Sequence, residues 1–173
     1  MGTRSTIGYA LADDSIVSVY CHYDGYPEFN GKVLNEYYTN VDKVRELLDG
    51  GDMSSLRTDS GWNNETLSEV GPLRYTSRGE NIKDVQPEYS KDLDSYLKHC
   101  DDVCGEYAYV FKNNKWHCYQ IGNPYSDRKH GAEIPIPAGS VNDEWDLSSW
   151  GYLSVALFCL TIMSMIWEVL IQY

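Results

Sequence analysis

Cysteine and histidine fall together at three places in this chain: Cys21-His22, His99-Cys100 with Cys104 close behind, and His117-Cys118. A zinc ion takes four nitrogen or sulfur ligands in a tetrahedron, and these residues are its only clustered donors. Adjacent residues of a strand point to opposite faces, so each dipeptide offers one ligand, and no Cys-x-x-Cys pair is present. Thiols kept reduced in a cytoplasm explain the same residues, and an odd count of 5 cysteines argues against a disulfide framework. The expectation is a chain with no cofactor. A zinc-stabilised soluble interaction domain, with its C-terminal helix buried, stands as an alternative.

His22-Tyr23-Asp24 has the residue types for an acid–base pair at a strand end, and Arg78-Gly79-Glu80 adds a guanidinium that could hold an anion. Converging in one pocket, His22, Asp24, Arg78 and Glu80 would suit a small enzyme acting on a phosphorylated small molecule. Asp24-Gly25-Tyr26-Pro27 also simply builds a turn, which is the preferred reading. Gly25 to Lys32 imitates a phosphate loop but has one residue too many between its glycines, and Val33 stands where a magnesium-binding Ser or Thr is required. No nucleophile elbow, zinc-protease helix or dinucleotide glycine pattern occurs. The sequence leans away from an enzyme.

Charge points to binding instead. The 173 residues carry 26 acids against 14 Lys and Arg, a net charge of −12, which excludes nucleic-acid binding through a basic surface. Glu80 to Glu106 holds eight acids against three lysines, and the chain has 15 tyrosines. Spaced carboxylates with aromatic anchors can engage a basic protein or occupy a DNA-binding groove; an ordinary solvated face is the plainer explanation. The binding candidates are Tyr23, Tyr26, Glu80 and Asp84.

The elements that must position these residues read as an α+β domain over residues 1–121. Ser5–Leu11 and Ser15–His22 are β-prone runs around the turn Ala12-Asp13-Asp14. Pro27 suits the first turn of a helix carrying Val33, Leu34, Tyr37 and Tyr38. Asn40 is a capping residue before Val41, Val44, Leu47 and Leu48, and Gly50-Gly51 stops that helix. Residues 52–88 show no persistent period and read as a long loop with a short strand near Leu73–Thr76. Ser90 begins a helix to about Asp101, with Leu93, Leu97 and Cys100 inward. Asn113-Asn114 joins strands Glu106–Lys112 and Lys115–Ile121, because Asn tolerates positive φ. The order ββαα, loop, αββ predicts an antiparallel sheet from two hairpins with helices on one face.

Residues 122–149 read as linker, with Pro124, Pro135 and Pro137. Trp150 to Tyr173 then holds a single charge, Glu168, in 24 residues; as a helix this run reaches about 36 Å, enough for a hydrocarbon core. Trp150, Tyr152 and Trp167 lie towards its ends, where interfacial aromatics belong, with Phe158 between them. Ser154, Thr161, Ser164 and Glu168, followed by Gln172, share one stripe of that helix, a seam suited to self-association into a homo-oligomer. Met1-Gly-Thr-Arg-Ser-Thr lacks the apolar core of a secretory signal, although Met1-Gly2 with Thr6 fits the myristoylation pattern. The expectation is a transmembrane tail holding the acidic domain on the cytoplasmic face of a host membrane.

At Thr3-Arg4-Ser5-Thr6-Ile7-Gly8 and Tyr20-Cys21-His22-Tyr23-Asp24-Gly25-Tyr26-Pro27 the chain resembles a widespread family of small uncharacterised tailed-phage and prophage proteins. Gly31-Lys32, the segment Leu48-Asp-Gly-Gly51-Asp52-Met-Ser-Ser-Leu56, and Tyr75-Thr-Ser-Arg78-Gly79-Glu80 continue the likeness, which spans roughly residues 3 to 120. The resemblance implies a phage genome and carries no activity with it. The expected function is therefore a phage accessory protein, a non-catalytic, membrane-tethered binder of a host component such as a host protein.

Overall fold

The computed structural model describes residues 2–56, 71–121 and 131–140. These residues form an α+β fold of eight strands and three α-helices. Strands β1 (Ser5–Ala10) and β2 (Ile16–Cys21) make the expected first hairpin. Asp14 takes φ 67° in its turn, and the Asp13 carboxylate accepts from the Ser15 backbone N–H at 3.2 Å. Pro27–Gly31 winds as a single π-turn before helix α1 (Lys32–Tyr37), so the helix expected from Pro27 opens with a wider turn and its α-helical part is short. Asn40 caps α2 (Val41–Asp49), its side chain accepting from the Lys43 N–H at 3.0 Å.

The short strand expected near Leu73–Thr76 is β4 (Leu73–Arg74), and two further short strands lie at the ends of the segment expected as loop, β3 (Met53–Ser55) and β5 (Glu88–Ser90). Ser90 closes β5, so the third helix, α3 (Leu93–Asp102), starts later than expected, with Asp92 as its cap. Strands β6 (Tyr107–Lys112) and β7 (Lys115–Gln120) form the second hairpin. Both Asn113 and Asn114 have positive φ, 52° and 56°, as a two-residue turn requires. A final strand, β8 (Ala132–Ile134), pairs with β7 inside the stretch expected as linker.

The sheet runs β4-β3-β2-β1-β6-β7-β8, with β5 also on β2. It is mixed rather than antiparallel: β1 with β6, and β2 with β3, run parallel. Helices cover both faces rather than one. On β1, a side chain built at Gly8 would come within 3.3 Å of the Tyr96 ring of α3, while the next residue, Tyr9, lies beneath Arg45 of α2 at 5.5 Å. Successive strand residues face opposite ways, so α2 and α3 lie on opposite sides. The α3 side packs Ile16, Ala108, Val110 and Ile121 against Tyr96, Leu97 and Cys100. On the other side, Val44, Leu47 and Leu48 of α2 are also buried. Sealed on both faces, the central strands bury four consecutive residues, Ser5 to Gly8 in β1 and Ala108 to Phe111 in β6.

Two tyrosines join the layers. The Tyr96 hydroxyl accepts from Thr6 Oγ1 at 2.9 Å and donates to the Tyr109 carbonyl at 2.8 Å. The Tyr109 hydroxyl donates to the Gly25 carbonyl at 2.8 Å. Among the described residues no helix is long and apolar enough to cross a membrane. The run Trp150–Tyr173, with its interfacial aromatics and its seam, lies outside the described residues.

Candidate functional site

The chain gathers its polar side chains where β2 changes partners. Ile16, Val17 and Ser18 pair with β5, and Cys21 pairs with Met53 of β3. Between them the Tyr20 N–H is taken by the carboxylate of Asp52, at 2.7 Å. Asp52 is fixed by its own backbone: its N–H donates to the Val85 carbonyl at 2.8 Å, and its carbonyl accepts the Tyr75 N–H at 3.2 Å. One residue thus ties Tyr20, Tyr75 and Val85 together. Burial pushes the Asp52 carboxyl up to about 6, against the Tyr20 N–H bond that lowers it; Glu88 and Glu80 raise it further and His99 lowers it.

The Gly50-Gly51 pair before Asp52 does more than end α2. A Cβ on Gly50 would fall 1.7 Å from Arg74 Nη1, and that guanidinium donates to the Leu47 and Glu46 carbonyls at 2.8 and 3.2 Å, closing the helix end. Gly51 has φ 75°, and a Cβ there would meet the Val85 carbonyl oxygen at 2.3 Å. Each glycine admits one neighbour, and together they deliver Asp52 to Tyr20.

Asp52 joins Tyr20 to Tyr75, and Tyr20 in turn meets His22 and feels the charge of Arg4. The Tyr20 hydroxyl lies 2.9 Å from His22 Nδ1. Burial raises the Tyr20 pKa, while the charge of Arg4 lowers it. Burial also raises the Tyr75 phenol, which interacts with Tyr20, Glu80 and Arg78. The Arg78 guanidinium sits over the Tyr75 ring at 5.7 Å. Tyr23, 46% exposed, sets its ring edge-on to His22 at 4.4 Å.

Of the residues named from sequence, His22, Arg78 and Glu80 therefore belong to the surroundings of Tyr20 and Tyr75. Asp24 belongs to a different constellation. It has φ 58°, its carbonyl accepts from the Asn30 N–H at 3.3 Å, burial raises its carboxyl, and its charge is felt by the Cys21 thiol. Among the binding candidates, Tyr23, Glu80 and Asp84 are exposed, whereas Tyr26 is half-buried with its ring 6.2 Å from Phe29. Arg4, Tyr20, Asp52 and Tyr75 lie within the segments that carry the family resemblance, which attached no role to them.

The cysteine and histidine pairs do not converge. Among the described residues no group of three His, Cys, Asp or Glu side chains is placed to hold a metal ion. Cys21, Cys100 and Cys118 are buried, and burial pushes their thiols up to about 12, about 11 and about 12. Cys21 receives the Asn30 side-chain amide at 3.5 Å, and that amide also reaches Ser5 Oγ at 3.2 Å. Cys104 is exposed beyond α3, His99 is half-buried on that helix, and His117 Nδ1 bonds Glu133 of β8 at 2.7 Å.

Comparison of the chain with protein-family models, with curated proteins and with solved structures finds no match.

Proposed function

We propose that this chain is a phage accessory protein that binds a host component at the cytoplasmic face of the host membrane, without chemically altering it. The observation that carries the reading is the hydrogen-bonded array in which Asp52 takes the Tyr20 and Tyr75 N–H groups and the Tyr20 hydroxyl meets His22. The exposed Tyr23 stands edge-on to His22, and the exposed Glu80 donates its N–H to the Tyr75 carbonyl. Rigidly placed polar groups with an aromatic at the rim suit recognition. The thiols of Cys21, Cys100 and Cys118 are buried and held protonated, which suits them to packing rather than nucleophilic attack. Support for the tether comes from the length and apolar character of Trp150–Tyr173, and for a phage origin from the resemblance of residues 3 to 120.

The test is fractionation and pull-down of the detergent-solubilised full-length chain, beside a chain lacking Trp150–Tyr173. The reading expects the full chain in the membrane fraction with a stoichiometric host component. A full chain that disperses without detergent, or one that recovers no such component, contradicts it.

A further inference from the structure

Asn30-Gly31 is the one Asn-Gly pair in the chain. An asparagine followed by glycine is the pair most open to deamidation, because no side chain shields the following nitrogen. The fold requires both residues. Asn30 is fully buried on the π-turn, and its side-chain amide donates to Ser5 Oγ at 3.2 Å and to Cys21 Sγ at 3.5 Å. The Cys21 thiol in turn donates to the Tyr23 carbonyl at 3.5 Å, so one amide joins β1, β2 and the loop that leaves β2. Gly31 is buried as well and has an ordinary helical φ of −60°. Space makes it glycine, since a Cβ there would lie 2.8 Å from Ile136 Cγ2.

We propose that Asn30-Gly31 is a deamidation site gated by folding, closed in the native chain and open in the unfolded one, whose reaction ends the chain's capacity to refold. The Gly31 nitrogen gives up its proton and bonds to the Asn30 side-chain carbonyl carbon, and the amide nitrogen leaves as ammonia. Water then opens the resulting succinimide at either carbonyl, giving aspartate or isoaspartate. The native turn blocks the first step. Helical side chains lean back towards the N-terminus, which holds the Asn30 carbonyl carbon away from the Gly31 nitrogen. The backbone on both sides is pinned: the Asn30 N–H donates to the Asp24 carbonyl at 3.3 Å, and the Lys32 N–H to the Phe29 and Pro27 carbonyls. Either product spoils the site. Aspartate puts a carboxylate among buried side chains, facing a sulfur whose proton is already given to Tyr23. Isoaspartate adds a methylene to the backbone and moves Gly31 out of step with Ile136. Chemical change of an unfolded chain makes unfolding irreversible, so this chain has a limited time in which to fold.

The test holds the full-length chain, in non-ionic detergent with a thiol reductant at mildly alkaline pH, either in concentrated urea or in native buffer. Samples taken over days are returned to native buffer, separated into folded and unrecovered pools, and mapped by proteolysis and mass spectrometry. The urea-held chain is expected to lose refolding in step with deamidation at Asn30. Its folded pool keeps Asn30, its unrecovered pool carries aspartate or isoaspartate there, and the native-held chain keeps Asn30 throughout. Asn30→Asp, made directly, loses most of its folded fraction at neutral pH. The Gly31→Ala/Ile136→Ala double variant slows the ring closure and clears room for the new methyl, so it refolds after the same hold. The pools read the parent chain alone and decide the matter whether or not the double variant folds. The proposal is overturned if the native-held chain deamidates at Asn30 as fast as the urea-held one, or if the folded pool carries the modified residue. It is equally overturned if Asn30→Asp folds like the parent, or if a folded double variant loses refolding at the parent's rate.

Discussion

The Asp52 carboxylate accepts the Tyr20 N–H at 2.7 Å, at the point where strand β2 has left β5 and not yet met β3. A gap in a ladder normally leaves a backbone donor to water, and here a side chain fills it. Because the Asp52 carbonyl also holds the Tyr75 N–H, the same residue that mends the sheet ties the backbones of Tyr20 and Tyr75 together.

That arrangement has a pH signature. The Asp52 carboxyl ordinarily titrates at 3.8 and is pushed up to about 6 in the folded chain, mainly by burial. Between those values the folded chain holds a proton that the unfolded chain has released. The stabilisation is complete below the ordinary value and is lost as pH rises through about 6. Asp52→Asn keeps an acceptor for Tyr20 and removes the titration. Thermal melts should therefore show the variant gaining on the parent as pH rises through this window, with a constant difference above it. A difference independent of pH contradicts the assignment.

Gly50→Ala and Gly51→Ala should separate by mechanism. Gly50 has φ −78°, so alanine suits its backbone, and the clash is with the flexible end of Arg74. The cost is the lost helix closure, about 1 kcal/mol, and Arg74→Ala should remove most of the same stability. Gly51 combines φ 75° with a backbone carbonyl in the way, and its substitution should cost about 2 kcal/mol or more. Urea unfolding midpoints of the three single variants and the Gly50→Ala/Arg74→Ala double variant check this.

Tyr96→Phe deletes two buried hydrogen bonds, from Thr6 and to the Tyr109 carbonyl, and leaves the Thr6 hydroxyl without its partner. A loss of about 1–3 kcal/mol is expected. Adding Thr6→Val should cost less than the sum of the two single changes, because the stranded donor is gone. A fully additive double variant in chemical denaturation contradicts the coupling.

Both hairpins were legible in sequence because their turns carry local chemistry, as Asn113-Asn114 does with two positive φ values. Asn40 likewise announces α2 through a bond to Lys43 three residues on. The second helical layer was not inferred, although Ser5 to Gly8 and Ala108 to Phe111, buried without alternation, are what a sheet covered on both faces produces. β3, β5 and β8 are three residues each, too short for a period to declare itself, and their pairing is set by distant strands. The site divides the same way. His22 and Arg78 were visible by residue type, whereas Asp52 looks like a turn residue after two glycines until the gap in β2 is known.

The central claim is that the chain holds a host component through the polar array that ends in His22 and the exposed Tyr23. Native mass spectrometry of the full-length chain, purified in mild detergent from host cells, tests it most directly when run beside a His22→Ala/Tyr23→Ala double variant. The parent should carry a stoichiometric added mass that the folded double variant lacks. A parent with no added mass, or a double variant that retains it, contradicts the account.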